Sequence, residues 1–250
     1  MAALAGALVL VAAGCGDDEA EGGDGAPRLV ISAASSMTEA LEECARDYPG
    51  ATVRLQLAGS DELAAQIRQG VRPDVYAAAN TRLPEELHEE GLLSRPIDFA
   101  SNTFVLAVPA GSEIDAVDDL TGEGVAIAIG SESVPIGAYT RETLALLAPA
   151  QEDAILANVR SEEPDVKGIV GKLTQGAADA GFVYVTDVNA AADELEAIEL
   201  PAELDPDVAY GAGVVEGARE PEAARAFVDG LTDGPCADAL EAAGFGPAPG

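Results

Sequence analysis

Ala33-Ala34-Ser35-Ser36-Met37-Thr38-Glu39 closes a β-rich run, Leu29–Ala33, and opens a stretch with apolar residues at helical spacing, Met37–Tyr48. The same order of strand, small-residue junction and helix returns along the chain. Ala58-Gly59-Ser60-Asp61-Glu62-Leu63 links the run Val53–Leu57 to the helical pattern Leu63–Gln69. Gly130-Ser131-Glu132-Ser133-Val134-Pro135-Ile136-Gly137 follows the run Val125–Ile129, and proline suits a first helical turn because its missing N–H is not needed there. Asp165-Val166-Lys167-Gly168 opens the helix that precedes the strand Gly181–Val185. Further strands are expected at Val75–Ala79, Phe104–Pro109 and Val208–Val215, and further helices at Pro84–Glu90, Pro221–Leu231 and Cys236–Ala243.

Strands alternating with helices define an α/β fold with a mainly parallel sheet. The C-terminal third breaks the alternation, since one strand is followed by two helices. A chain that leaves one lobe near Phe104 and returns near Val208 makes two lobes with two crossing segments. Lobe I is then residues 28–104 with 208–250, and lobe II residues 105–207.

In such sheets ligands sit beyond the carboxyl ends of the strands, where helix N-termini gather. Several N-termini aimed at one cleft bind negative charge without any cation, through free N–H groups and partial positive charge. Serine and tyrosine hydroxyls add donors that do not ionise near neutral pH. The competing reading of Ser36 is purely structural, because Ser36 with Glu39 three residues later fits a capping box.

The N-terminal residues, Met1 to Ala13, are apolar and uncharged, too few to cross a bilayer core that needs roughly 20 in a helix. They read as a signal peptide, residues 1–14, ending in Val11-Ala12-Ala13-Gly14-Cys15. That ending resembles a lipobox with Cys15 as the lipidated residue; an ordinary signal peptide with an incidental cysteine is the alternative. Residues 15–27 hold five acids and no base before Arg28 and have nothing to pack, so they read as a tether. Cys44 and Cys236 then remain as an even pair in an oxidising compartment, either bridged or buried as free thiols.

The chain carries 45 acids against 13 bases, a formal net charge of −32. That field repels nucleic acid and anionic headgroups, so nucleic acid is excluded as a partner and the membrane is met through the lipid anchor only. No catalytic constellation stands out and no metal or cofactor motif is found. His88, the single histidine, lies among Glu85, Glu86, Glu89 and Glu90 and reads as solvated. Gly211-Ala212-Gly213-Val214-Val215-Glu216-Gly217 has the wrong spacing for a dinucleotide fingerprint. A secreted hydrolase with paired acids in its cleft stays open as a rival class.

Four strings carry a specific resemblance: Ala33–Ala40, Gly70-Val71-Arg72-Pro73-Asp74-Val75-Tyr76, Ser133-Val134-Pro135-Ile136-Gly137-Ala138-Tyr139, and Ala178-Asp179-Ala180-Gly181-Phe182-Val183-Tyr184-Val185-Thr186-Asp187. In this order they resemble the molybdate-binding proteins of ABC importers, over about Leu29 to Phe245. The resemblance implies a type II periplasmic-binding-protein fold whose two lobes close on the ligand. It implies molybdate as ligand, with tungstate or another small oxyanion as alternatives, no cofactor, a membrane permease as partner, a monomer, and an extracytoplasmic, membrane-anchored location. Carried over by position, the donors are the hydroxyls of Ser36, Ser60 and Tyr184 and the N–H groups of Ser36, Ser60, Ile136 and Val166. Ile136 stands where the family usually has alanine. Asp61 and Glu62 follow Ser60 where uncharged residues are common, and both are expected to point outward. In that fold the final helix returns to lobe I, which makes Cys236 a candidate partner for Cys44.

Overall fold

A computed structural model of the chain describes residues 26–46 and 48–249. The signal peptide, Cys15 and most of the tether therefore lie outside the described residues. In chain order the elements are β1 (Arg28–Ala34), α1 (Thr38–Arg46), β2 (Thr52–Ala58), α2 (Ser60–Arg68), β3 (Val75–Ala78), α3 (Arg82–Glu89), β4 (Ile97–Asn102) and β5 (Phe104–Pro109). Then come β6 (Ile127–Gly130), α4 (Pro135–Leu144), α5 (Pro149–Ala157), β7 (Val159–Glu163), α6 (Val166–Thr174), β8 (Ala180–Tyr184), α7 (Val185–Ala190) and β9 (Leu195–Glu199). The chain ends with β10 (Val208–Val214), α8 (Pro221–Asp229), α9 (Pro235–Ala243) and β11 (Gly246–Pro247).

The strands form two sheets, ordered β11-β4-β10-β3-β1-β2 and β7-β6-β8-β5-β9. The interior strands β3, β6 and β8 are buried at every position, which is why they read as unbroken apolar runs. The sheets are not mainly parallel. β1 pairs in parallel with β2 and β3, and β6 with β7 and β8, but β10, β4, β11, β5 and β9 join antiparallel. The cause is the two crossings. A parallel neighbour needs a long return through a crossover, whereas β4 passes straight into β5 through Thr103 and β9 leads back to β10 with no helix between.

Strands β4, β7, β9 and β11 escaped the sequence reading. β7 and β9 are edge strands, and Val159-Arg160-Ser161-Glu162-Glu163 and Leu195-Glu196-Ala197-Ile198-Glu199 carry charge on an open face, as edges do. The glycines of β10 serve packing: a Cβ on Gly213 would meet the Leu93 side chain at 2.9 Å. α1 packs against α9, and Cys44 is joined to Cys236 by a disulfide with Cα atoms 4.8 Å apart.

Candidate anion-binding cleft

The two sheets face each other across a small cavity. Ser36, Ser60, Ile136, Val166 and Tyr184 all line it. Ser36 and Ser60 come from the side of the first sheet, and Ile136, Val166 and Tyr184 from that of the second.

Local sequence explains each placement. Ser60 is the first residue of α2, and its N–H belongs to the first turn, where helices lack internal partners. Its Oγ accepts the Ala79 N–H at 3.1 Å, and Tyr76 donates to its carbonyl at 2.7 Å, so the hydroxyl is anchored while its own proton stays free to donate. Pro135 begins α4, so Ile136 supplies the first N–H of that turn. Asp165 caps α6 by accepting the Gly168 N–H at 3.0 Å, which fixes Val166 as the first helical residue. Asp165 also lines the cavity, and this bond engages its carboxylate at the helix start.

Ser36 does not form the expected capping box. It lies in a 3-10 turn, Ser35–Met37, and no side chain caps that turn. Its hydroxyl sits 2.9 Å from that of Tyr210, and Glu39 turns away to Lys167. The aromatic cluster around it spans both sheets, with the Tyr184 and Tyr210 rings edge-on at 5.9 Å. Tyr184 is 1% exposed and its hydroxyl has no hydrogen-bond partner. Burial pushes the Tyr184 pKa well above its usual value, so the group stays protonated as a donor.

Asp61 and Glu62 differ from each other. Glu62 faces outward and accepts from Gln66 at 3.1 Å. Asp61 does not point outward: its Oδ2 accepts a hydrogen bond from the Ser133 hydroxyl, while its Oδ1 is buried without a hydrogen-bond partner. Gly59 allows the same close approach, since a Cβ there would lie 2.5 Å from the Pro164 carbonyl oxygen. His88 is not free in solvent either; its Nδ1 lies 3.0 Å from the Leu93 carbonyl.

A small, hydroxyl- and amide-lined chamber between two α/β halves suits a desolvated anion. The family model described as bacterial extracellular solute-binding protein matches residues 29–246. The chain belongs to this family.

This solute-binding protein is 34% identical over 230 residues to the molybdate-binding protein ModA of Mycobacterium tuberculosis (strain ATCC 25618 / H37Rv), covering 88% of this chain and 85% of that one. It is 28% identical over 248 residues to the putative ABC transporter substrate-binding lipoprotein YvgL of Bacillus subtilis (strain 168), covering 94% and 93%. Its fold matches the Azotobacter vinelandii periplasmic molybdate-binding protein with a TM-score of 0.77 at 22% identity, over 87% of this chain and 98% of that one. The two-lobed type II architecture follows.

Sequence reading of this solute-binding protein missed Tyr210, Asp187 and the reach of Lys167. Tyr210 sits in a glycine-rich strand with no junction signal, and only the fold sets it beside Ser36. Among the described residues no group of three or more His, Cys, Asp and Glu could hold a metal ion.

Proposed function

We propose that the protein captures molybdate outside the cytoplasm and delivers it to the permease of an ABC importer. The observation that carries this is the Tyr184 hydroxyl, a buried donor without a partner at a cavity where three helix starts and a 3-10 turn converge. A buried unpaired hydroxyl costs about 1–3 kcal/mol, and an oxyanion removes that cost. The names of the mycobacterial and Azotobacter relatives support molybdate as the ligand.

In this reading Ser36, Ser60 and Tyr184 donate hydroxyl protons and Ser36, Ser60, Ile136 and Val166 donate backbone N–H bonds. These groups are neutral, so the site acts by short-range dipoles inside an acidic molecule whose long-range field opposes anions. The protein binds and does not catalyse. It works as a monomer held to the membrane by lipid on Cys15, a reading supported by the lipobox-like Val11–Cys15 and by the name of the Bacillus relative. Tungstate, with the same shape and charge, is the second reading, since neutral donors do not select the central atom.

Thermal melts with molybdate, tungstate and sulfate test this. An anion present at 100 times its dissociation constant adds about 2.7 kcal/mol of stability. A melting temperature unmoved by all three would end the oxyanion reading.

A further inference from the structure

Lys167 Nζ lies 2.9 Å from both carboxylate oxygens of Glu39 and 3.1 Å from Oδ1 of Asp187. Glu39 stands on α1, beside the first sheet, whereas Lys167 stands on α6 and Asp187 on α7, beside the second. Each is a near neighbour of a cleft residue: Glu39 follows Ser36 by three positions, Lys167 follows Val166 by one, and Asp187 follows Tyr184 by three. The cluster bridges the two halves, each member within three residues of a cavity-lining residue.

Asp187 is the unusual member. Its side chain is fully buried, and its hydrogen-bond donors are the Lys167 ammonium and the Tyr184 backbone N–H. The groups facing it are Lys167, Glu39 and the hydroxyls of Tyr184 and Tyr210. Both tyrosines stay protonated, because burial drives their pKa well above the usual value. Two carboxylates therefore share one ammonium, leaving an excess negative charge beside a cavity built for anions. Lys167 itself stays charged: burial pulls its pKa down, but Asp187 and Glu39 outweigh that and the net direction is up.

We propose that anion binding is coupled to proton uptake at Asp187, through the Lys167–Glu39–Asp187 bridge between the two halves. A bound dianion repels the ionised Asp187 carboxylate and favours its protonated form. By linkage, protonated Asp187 then favours the bound state. The inference rests on the oxyanion reading and adds a pH response that the neutral donors lack.

Burial, opposed by Lys167, already raises the Asp187 pKa to about 6 in the empty protein. The bound anion raises it further, so affinity is highest at low pH and falls as pH rises through the window above about 6. Each unit of further shift makes binding about tenfold tighter below the window than above it.

Isothermal calorimetry of molybdate binding at several pH values, in buffers of different ionisation enthalpy, reads the protons taken up per anion. The wild type should take up a fraction of a proton between about pH 6 and 7, and Asp187→Asn should take up none. Glu39→Gln removes a negative neighbour of Asp187, so it should move the maximum of uptake to lower pH, and it serves if Asp187→Asn does not fold. Binding heat without proton uptake in the wild type, or uptake that persists in Asp187→Asn, overturns the coupling. Absence of heat with molybdate, tungstate and sulfate alike overturns the oxyanion reading itself, and the coupling with it.

Discussion

The hydroxyls of Ser36 and Tyr210 lie 2.9 Å apart, although 174 residues separate them in the chain. Tyr210 is fully buried, and the Asn102 amide approaches the same oxygen at 3.4 Å. The tyrosine thus orients the serine hydroxyl from behind, leaving the other side of Ser36 for the cavity. Tyr210→Phe removes that orientation without changing the chamber wall. Stability should fall by about 1 kcal/mol, and oxyanion affinity should fall about fivefold if the lost positioning is of similar size. Paired melts and calorimetry check this, and unchanged affinity would limit Tyr210 to a packing role.

Tyr184→Phe should move stability and affinity in opposite directions. The empty protein gains, because an unsatisfied buried hydroxyl costing about 1–3 kcal/mol disappears. The bound state loses a charge-assisted bond, so oxyanion affinity should fall by one to two decades, corresponding to roughly 1.5–3 kcal/mol. A variant that binds as tightly as wild type would remove Tyr184 from the donor set.

Ser60→Ala should weaken both properties. Its hydroxyl proton is a ligand donor worth roughly 1.5–3 kcal/mol, or about one to two decades of affinity. Its Oγ also accepts the buried Ala79 N–H, which the substitution strands at about 1–3 kcal/mol of stability. Loss of stability with full affinity would leave Ser60 a structural residue only.

Reduction of the Cys44–Cys236 disulfide should lower the melting temperature and spare the cleft. The bridge closes a loop of 192 residues, worth about 5 kcal/mol in the chain-entropy model. It ties α9 to α1, two elements that flank the first sheet, and joins no residue of the cavity lining. Oxyanion affinity should therefore change by less than about twofold, within the scatter of distant sites. A large loss of affinity on reduction would show that the α1–α9 contact controls closure.

The sequence by itself determined the local framework. Apolar runs of strand length, small residues at their ends and helical spacing beyond them placed β1, β2, β3, β5, β6, β8 and β10, because these features act over a few residues. The same local chemistry marked the junctions that carry Ser36, Ser60, Ile136 and Val166, and those junctions do converge on one cavity. Edge strands β7 and β9 were illegible because their open faces carry charge, and strand direction was illegible because it depends on where the chain crosses between sheets.

Only the tertiary structure decided which side chain each hydroxyl and charge would meet. Ser36 could cap its helix or pair with Tyr210, and the pairing of β10 with β3 inside the first sheet selected Tyr210. Asp61 could face solvent or Ser133, and the approach of the two halves selected Ser133. Asp187 reads as one more acid among 45, yet it is a fully buried charge held by Lys167. Side-chain reach is a few ångströms, so such pairings are set by long-range chain placement that no local pattern encodes.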